Sequence, residues 1–237
     1  MNTPVACVAL DFGGTIATPG PKPNGADVVK VLRVQFDCCA PPGFAAVVDR
    51  ARREAAAAYR AHGQQTPWET ILTGSAEQVG ARLPDARRLA EAIWQKVPDA
   101  VVDPVAAATV RRLARSGVIL VLACNTQRTL ATRQRTLDEA GIADCFTALV
   151  LSSVLGVGKP DPRFYAAVTT ASREATGCGP ERVVFVGDTV DKDVLGPRRC
   201  GMRPVLIEPG PRPAGLTDDV PMVAHVSELP ALLERWP

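Results

Sequence analysis

The stretch that decides the fold is Val8–Gly20, VALDFGGTIATPG. An apolar run begins at Val5, stops at Leu10, and is followed at once by a carboxylate, Asp11. A short, unbroken apolar run bounded by polar residues and glycine reads as a strand buried on both faces. Taken alone, an aspartate at its mouth is an ordinary turn residue. Gly13, Gly14 and Thr15 come next, so the position two beyond the aspartate carries no side chain.

Working outward, Thr18–Asn24 (TPGPKPN) is rich in proline and glycine and reads as a linker. From there to about Val101 the signals are all helical. GFAAVVDRARREAAAAYRAHG, residues 43–63, is rich in alanine and arginine and closes on a glycine. SAEQVGARL (75–83) and PDARRLAEAIWQKV (84–97) predict two further helices. Beyond residue 101 the character changes. DPVAAATVRRLARSG is a helix with an aspartate cap, VILVLAC a strand, QRTLATRQRTLDEAG a helix and ALVLSS a strand. PDPRFYAAVTTASREA is a helix, RVVFVGD a strand, DVLGPRRCG a short helix and RPVLIE a strand. Strands alternating with helices over short connections specify an α/β fold with a parallel sheet and helices on both faces. The first strand and the last four form that sheet, and the helical block is an insert. Residues 1–17 and 101–237 make the core, and residues 18–100 the inserted helical domain.

The chain has 237 residues, of which 46% are apolar and 22% charged, an ordinary globular composition with enough material for a core. The net charge of +2 comes without a basic run, so nucleic acid is not an expected partner. No apolar stretch approaches the roughly 18 residues of a membrane span, and the N-terminus carries no secretion pattern. Seven cysteines, with Cys38 and Cys39 adjacent and no metal-type spacing, read as reduced thiols in a cytoplasm.

In a doubly wound sheet, ligands sit beyond the carboxyl ends of the strands, where the strand order reverses. Four segments end there with polar residues: Asp11; Cys124–Asn125–Thr126; Lys159 in GVGKP; and Asp188, with Asp191 and Asp193 just beyond. Each is weak alone. Their order in the chain is specific.

That order resembles the haloacid dehalogenase-like superfamily. DFGGT stands for its first motif, VLACN for its second, GKPDPRFY for its third and VGDTVDKDVLGPRRCGM for its fourth. The resemblance implies a Rossmann-like core, a helical cap at 18–100 and an aspartyl-phosphate chemistry. By that resemblance Asp11 is the nucleophile and Lys159 the electrostatic stabiliser. Asp11, the carbonyl of Gly13, Asp188 and Asp193 are the expected Mg²⁺ ligands, Asp193 helping to hold either the metal shell or Lys159. Thr15, Cys124, Asn125 and Lys159 are the expected substrate contacts. A nucleophilic carboxylate attacking a phosphorus anion needs a screening cation, and Mg²⁺ prefers oxygen ligands.

Two positions depart from the pattern. Gly13 stands where phosphatases of the family carry an aspartate for general acid–base work, worth about 10²–10⁴ in rate. Cys124 stands where the family has Ser or Thr, and a thiol is the weaker donor. His62 and Glu54 are candidates to stand in for the missing aspartate, although both read equally as surface residues. Trp68, Tyr59 and Arg60 give no pocket signature. The expected function is therefore a Mg²⁺-dependent phosphatase of a small phosphorylated metabolite with an altered acid–base step. The alternatives are a catalytically weak member of the fold that binds a phosphorylated ligand or a protein, a phosphonatase and a dehalogenase. The substrate and the oligomeric state are not legible.

Overall fold

The computed structural model describes residues 5–63 and 65–235. Strand β1 (Cys7–Leu10) is wholly buried, as its apolar run predicts. Strand β2 (Ala17–Thr18) leads to four helices: α1 (Gly25–Phe36), α2 (Phe44–His62), α3 (Trp68–Val79) and α4 (Ala86–Lys96). Strand β3 (Val101–Val102) then pairs antiparallel with β2, so the chain leaves and re-enters the sheet region through one two-stranded ribbon. The remainder runs α5 (Pro104–Arg115), β4 (Ile119–Cys124), α6 (Leu130–Glu139), β5 (Ala148–Leu151), α7 (Ser152–Leu155) and α8 (Pro162–Thr176). It ends β6 (Val183–Gly187), α9 (Gly196–Arg199), β7 (Arg203–Ile207), β8 (Met222–Val223) and α10 (Leu229–Glu234).

The main sheet has the order β5-β4-β1-β6-β7-β8, and every pairing in it is parallel. The chain builds outward from β1 to β5 on one side and then returns to lay β6 on the other. That reversal opens a crevice at the carboxyl ends of β1 and β6. Both faces of the sheet are covered, which is why its strands read as continuous apolar runs. Val8, Leu10, Leu120, Leu122, Val184 and Val186 pack on one face with α5 and α6 residues. Cys7, Ala9, Val121, Ala123 and Phe185 alternate with them and pack against Phe164, Tyr165 and Val168 of α8.

The four inserted helices have a core of their own, built on Val28, Leu32, Phe44, Leu72, Leu89 and Ile93. Trp68 and Trp94 meet edge to face there with ring centroids 5.6 Å apart.

Three details differ from the sequence expectation. The helix expected at 75–83 runs instead from Trp68 to Val79. Its buried stripe starts at Trp68 and Ile71, and Gly80 closes it in a left-handed conformation with φ 63°. Helix α1 is set by Asn24, whose side chain caps Ala26 and Asp27 while Asp27 reaches back to the Asn24 N–H. The β2–β3 ribbon and β8 are two-residue strands, too short to show a period.

Candidate active site

The carboxyl ends of β1, β4 and β6 converge as the strand order requires. Asp11 follows β1, Asn125 follows β4, and Asp188 follows β6. Lys159 arrives from the loop before α8, whose start is fixed by the Asp161 cap and Pro162 in the first turn. Asp193 sits in a wide helical turn, Val190–Leu195, that precedes α9.

Lys159 is the centre of the arrangement. Its side chain is fully enclosed, and Nζ lies 2.8 Å from Asp11 Oδ1 and 2.7 Å from Asp193 Oδ1. Burial alone pulls this ammonium toward the neutral form. The Asp11 and Asp193 carboxylates more than reverse that pull, so its pKa is raised and it stays charged. The second oxygen of Asp193 accepts the Thr189 N–H at 2.9 Å, which fixes the carboxylate against the lysine.

Asp11, Asp188 and Asp193 each offer an oxygen, and these oxygens all lie within 4.8 Å of one another. Burial, followed by the charge of Asp11, pushes the Asp188 carboxyl upward. Three carboxylates around one ammonium leave the cluster short of positive charge. Hard oxygen donors in that arrangement suit a small divalent cation. Gly14 permits the close approach: it has φ 81°, and a Cβ there would run into the Asp188 carboxylate.

Asn125 holds the lysine's backbone. Its Oδ1 accepts the Lys159 N–H at 2.8 Å, and its Nδ2 donates to the Lys159 carbonyl at 2.9 Å. Tyr59, from α2 of the insert, donates its hydroxyl to the same carbonyl at 2.9 Å and accepts from Asn125 Nδ2. The Asn125 side chain is thus engaged in placing Lys159. Cys124 is 2% exposed, and burial pushes its thiol up to about 12, so it is a neutral thiol and not a nucleophile. Thr15 is buried, and its Oγ1 has no hydrogen-bond partner among the described residues.

Asp11, Gly13, Tyr59, Cys124, Asn125, Lys159, Asp188 and Asp193 line one cleft of about 520 Å³ between the sheet ends and the insert; Thr15, expected as a substrate contact, does not line it. Among the described residues that line it, the carboxylates are Asp11, Asp99, Asp188 and Asp193, and there is no histidine. Asp99 is fully engaged by Arg128 at 2.9 Å, Arg133 at 3.4 Å and the Thr136 hydroxyl at 2.5 Å. Glu54 lines a separate shallow groove between α2 and α3, so it does not reach Asp11. The His62 side chain lies outside the described residues. Asp191 is exposed and does not line the cleft.

Sequence reasoning left Tyr59 undecided and passed over Arg128. Arg128 donates to the Trp94, Val97 and Pro98 carbonyls at 3.2, 2.9 and 2.5 Å, which ties down the return linker of the insert. Trp68 and Gln127 share a further hydrogen bond of 2.9 Å across the same junction. No local pattern marks such residues, because their partners lie far away in the chain.

A family model described as haloacid dehalogenase-like hydrolase matches residues 5–201. The chain is 34% identical over 145 residues to the phosphoserine phosphatase of Thermus thermophilus, covering 61% of this chain and 56% of that one. It is 40% identical over 82 residues to the glyceraldehyde 3-phosphate phosphatase of Methanopyrus kandleri, covering 34% of each. The matched stretches thus span about half or less of these relatives' own lengths. Among solved structures, the 2-haloacid dehalogenase of Pseudomonas syringae aligns with a TM-score of 0.69 at 21% identity, covering 98% of this chain and 100% of that one. A phosphatase from Thermococcus onnurineus aligns with a TM-score of 0.57 at 20% identity, covering 97% and 98%. Likeness at that identity shows the fold.

Proposed function

The chain belongs to the haloacid dehalogenase-like hydrolases, and from that premise we propose that it is a Mg²⁺-dependent phosphatase of a small phosphorylated metabolite. One observation carries this reading. A buried ammonium, Lys159, bridges Asp11 and Asp193 beside Asp188, in a cluster with room for a cation. The phosphatases among the relatives support the same class.

Asp11 is the nucleophile. One carboxylate oxygen attacks phosphorus, the bond from phosphorus to the leaving oxygen breaks, and an aspartyl-phosphate remains on Asp11. Lys159 stabilises the charge that gathers on the phosphoryl oxygens. Asp193 and Asn125 are positioning residues, holding the lysine's side chain and backbone respectively. Asp11, Asp188 and the Gly13 carbonyl would hold Mg²⁺, with Asp193 at the edge of its shell. The bound cation supplies charge neutralisation between two anions. Thr15 orders the loop after the nucleophile, and Cys124 packs beside the phosphate as a neutral thiol. Water then attacks phosphorus, releases phosphate and restores the carboxylate.

No described carboxyl lining the cleft is free to replace the side chain that Gly13 lacks. The reaction therefore favours leaving groups that depart without a proton, such as the carboxylate of an acyl phosphate or the phosphate of an anhydride. The inserted helices act as a cap over the cleft. Free thiols throughout suit a reducing cytoplasm. A small molecule, not a nucleic acid or membrane, is the partner this cleft fits.

The test is phosphate release from a panel of phosphorylated metabolites, with and without Mg²⁺, alongside a search for phosphoryl mass on Asp11. Metal-dependent release that Asp11→Asn abolishes is the expected result. Halide release from a 2-haloacid that survives chelation would overturn the reading in favour of carbon attack. Neither activity across the panel would leave a phosphate-binding protein.

A further inference from the structure

The cleft's cations are unevenly matched. On the sheet side Lys159 has Asp11 and Asp193, and Arg128 and Arg133 share Asp99, while Lys192 has no ion-pair partner among the described residues and lies 6.0 Å from the centre of the Tyr59 ring. On the insert side the guanidinium groups are the ones left without a close carboxylate. Arg53 and Lys22 line the cleft and have no hydrogen-bond or ion-pair partner among the described residues. Arg52 lines it too, and its Nε is buried without a partner. The nearest carboxylate to Arg52 is Asp49 at 3.8 Å, and that oxygen already accepts the Gly25 N–H at 2.9 Å.

Helix geometry says where this charge lies. Arg52, Ala56 and Tyr59 recur at helical spacing on one face of α2, and all three line the cleft. The Tyr59 end of that face is pinned to the Lys159 carbonyl at 2.9 Å, beside the reaction centre. Arg52 lies two turns back, about 10 Å along the helix axis. Ala56 between them has a methyl side chain and leaves the path open. A partly enclosed guanidinium with an unused donor holds an anion well, because planar N–H groups match carboxylate and phosphate oxygens.

We propose that Arg52 and Arg53 form a second anion subsite, so that the substrate carries a phosphoryl group at Asp11 and a further carboxylate or phosphate at its far end. The inference rests on the phosphatase reading of the Asp11 end and adds the class of substrate. Lys22, on the linker before α1, also lines the cleft and adds to its positive potential.

Three non-hydrolysable probes of equal length test it: hexylphosphonate, 6-phosphonohexanoate and hexane-1,6-bisphosphonate. Their affinities for the intact protein in Mg²⁺ are measured by calorimetry. The expected result is binding about tenfold tighter for at least one charged tail than for the neutral one. The better of the two charged tails then tells carboxylate from phosphate. In Arg52→Gln and Arg53→Gln that ratio falls to about half or less of its starting value. Because it compares two ligands on one variant, a general loss of folded protein does not mimic the effect. Equal affinity for neutral and charged tails, in a protein that still shows Mg²⁺-dependent phosphate release, overturns the subsite and leaves the phosphatase. A strong preference for charged tails without phosphate release from any ester keeps the subsite and removes the phosphatase.

Discussion

Position 13 carries the chemical question of this site at the scale of one residue. A Cβ built on Gly13 would lie 3.0 Å from Pro19 Cγ, closer than such atoms normally come. Gly13 and Pro19 are therefore matched, and restoring a carboxyl has a steric cost. That cost is modest, because Gly13 is not in a left-handed conformation and Pro19 is exposed. Gly13→Asp is expected to raise hydrolysis of an alkyl phosphate, which needs a protonated leaving oxygen, by about tenfold or more. Adding Pro19→Gly should raise it further. An acyl phosphate should gain little in its first step. Unchanged alkyl phosphate turnover in both variants, with Mg²⁺ affinity intact, would mean that another group already moves the proton.

At the scale of elements, the junction between insert and core depends on Arg128. Its guanidinium lies over the Trp94 ring at 4.6 Å and caps carbonyls at the carboxyl end of α4. Those are backbone groups the helix cannot satisfy itself. Its side chain is 7% exposed and pairs with Asp99 at 2.9 Å. Removing Arg128 leaves Asp99 with Arg133 at 3.4 Å and the Thr136 hydroxyl, and leaves the linker carbonyls without their donor, so the cost falls at the low end of the range for a broken buried pair, about 3 kcal/mol. Arg128→Met is expected to lower stability by about that amount in a urea titration, with Arg128→Lys in between. A midpoint within error of the parent would show that the linker is held by something else. The same junction marks the limit of what sequence could show. The long strands were legible because burial on both faces writes itself as unbroken apolar runs, and the four polar strand ends followed from them. The sequence places helix α3 late because SAEQVGARL has a helical composition that carries through Gly80, the residue that in the fold closes the helix. Tyr59 and Arg128 were not legible, since each acts on groups distant in sequence, and the Arg52–Arg53 face was not, since its place on the cleft wall exists only once the chain is folded.

At the scale of the whole molecule, burying thiols in the sheet ties stability to alkaline pH. Burial raises the Cys7 thiol from its ordinary 9.0 to about 11, although a hydrogen bond involving Ser172 opposes the shift. Burial likewise raises Cys124 to about 12. In the unfolded chain both thiols ionise near 9.0, while in the fold they still hold their protons. Above that pH unfolding releases protons, so stability is complete below about pH 9 and falls as pH rises toward the folded values. Cys7 alone accounts for about 2 kcal/mol of loss by pH 11. Guanidinium titrations at pH 8 and pH 10.5 should therefore show a marked fall in midpoint. Cys7→Ala starts lower at pH 8, since it loses packing beneath β1, but should fall less between the two. Adding Cys124→Ala should flatten the dependence again. A parent and double variant that lose equal stability over this range would place the alkaline weakness elsewhere, with the half-buried Tyr59 and the buried Tyr165 as the next groups to remove, since desolvation raises both above the ordinary 10.0.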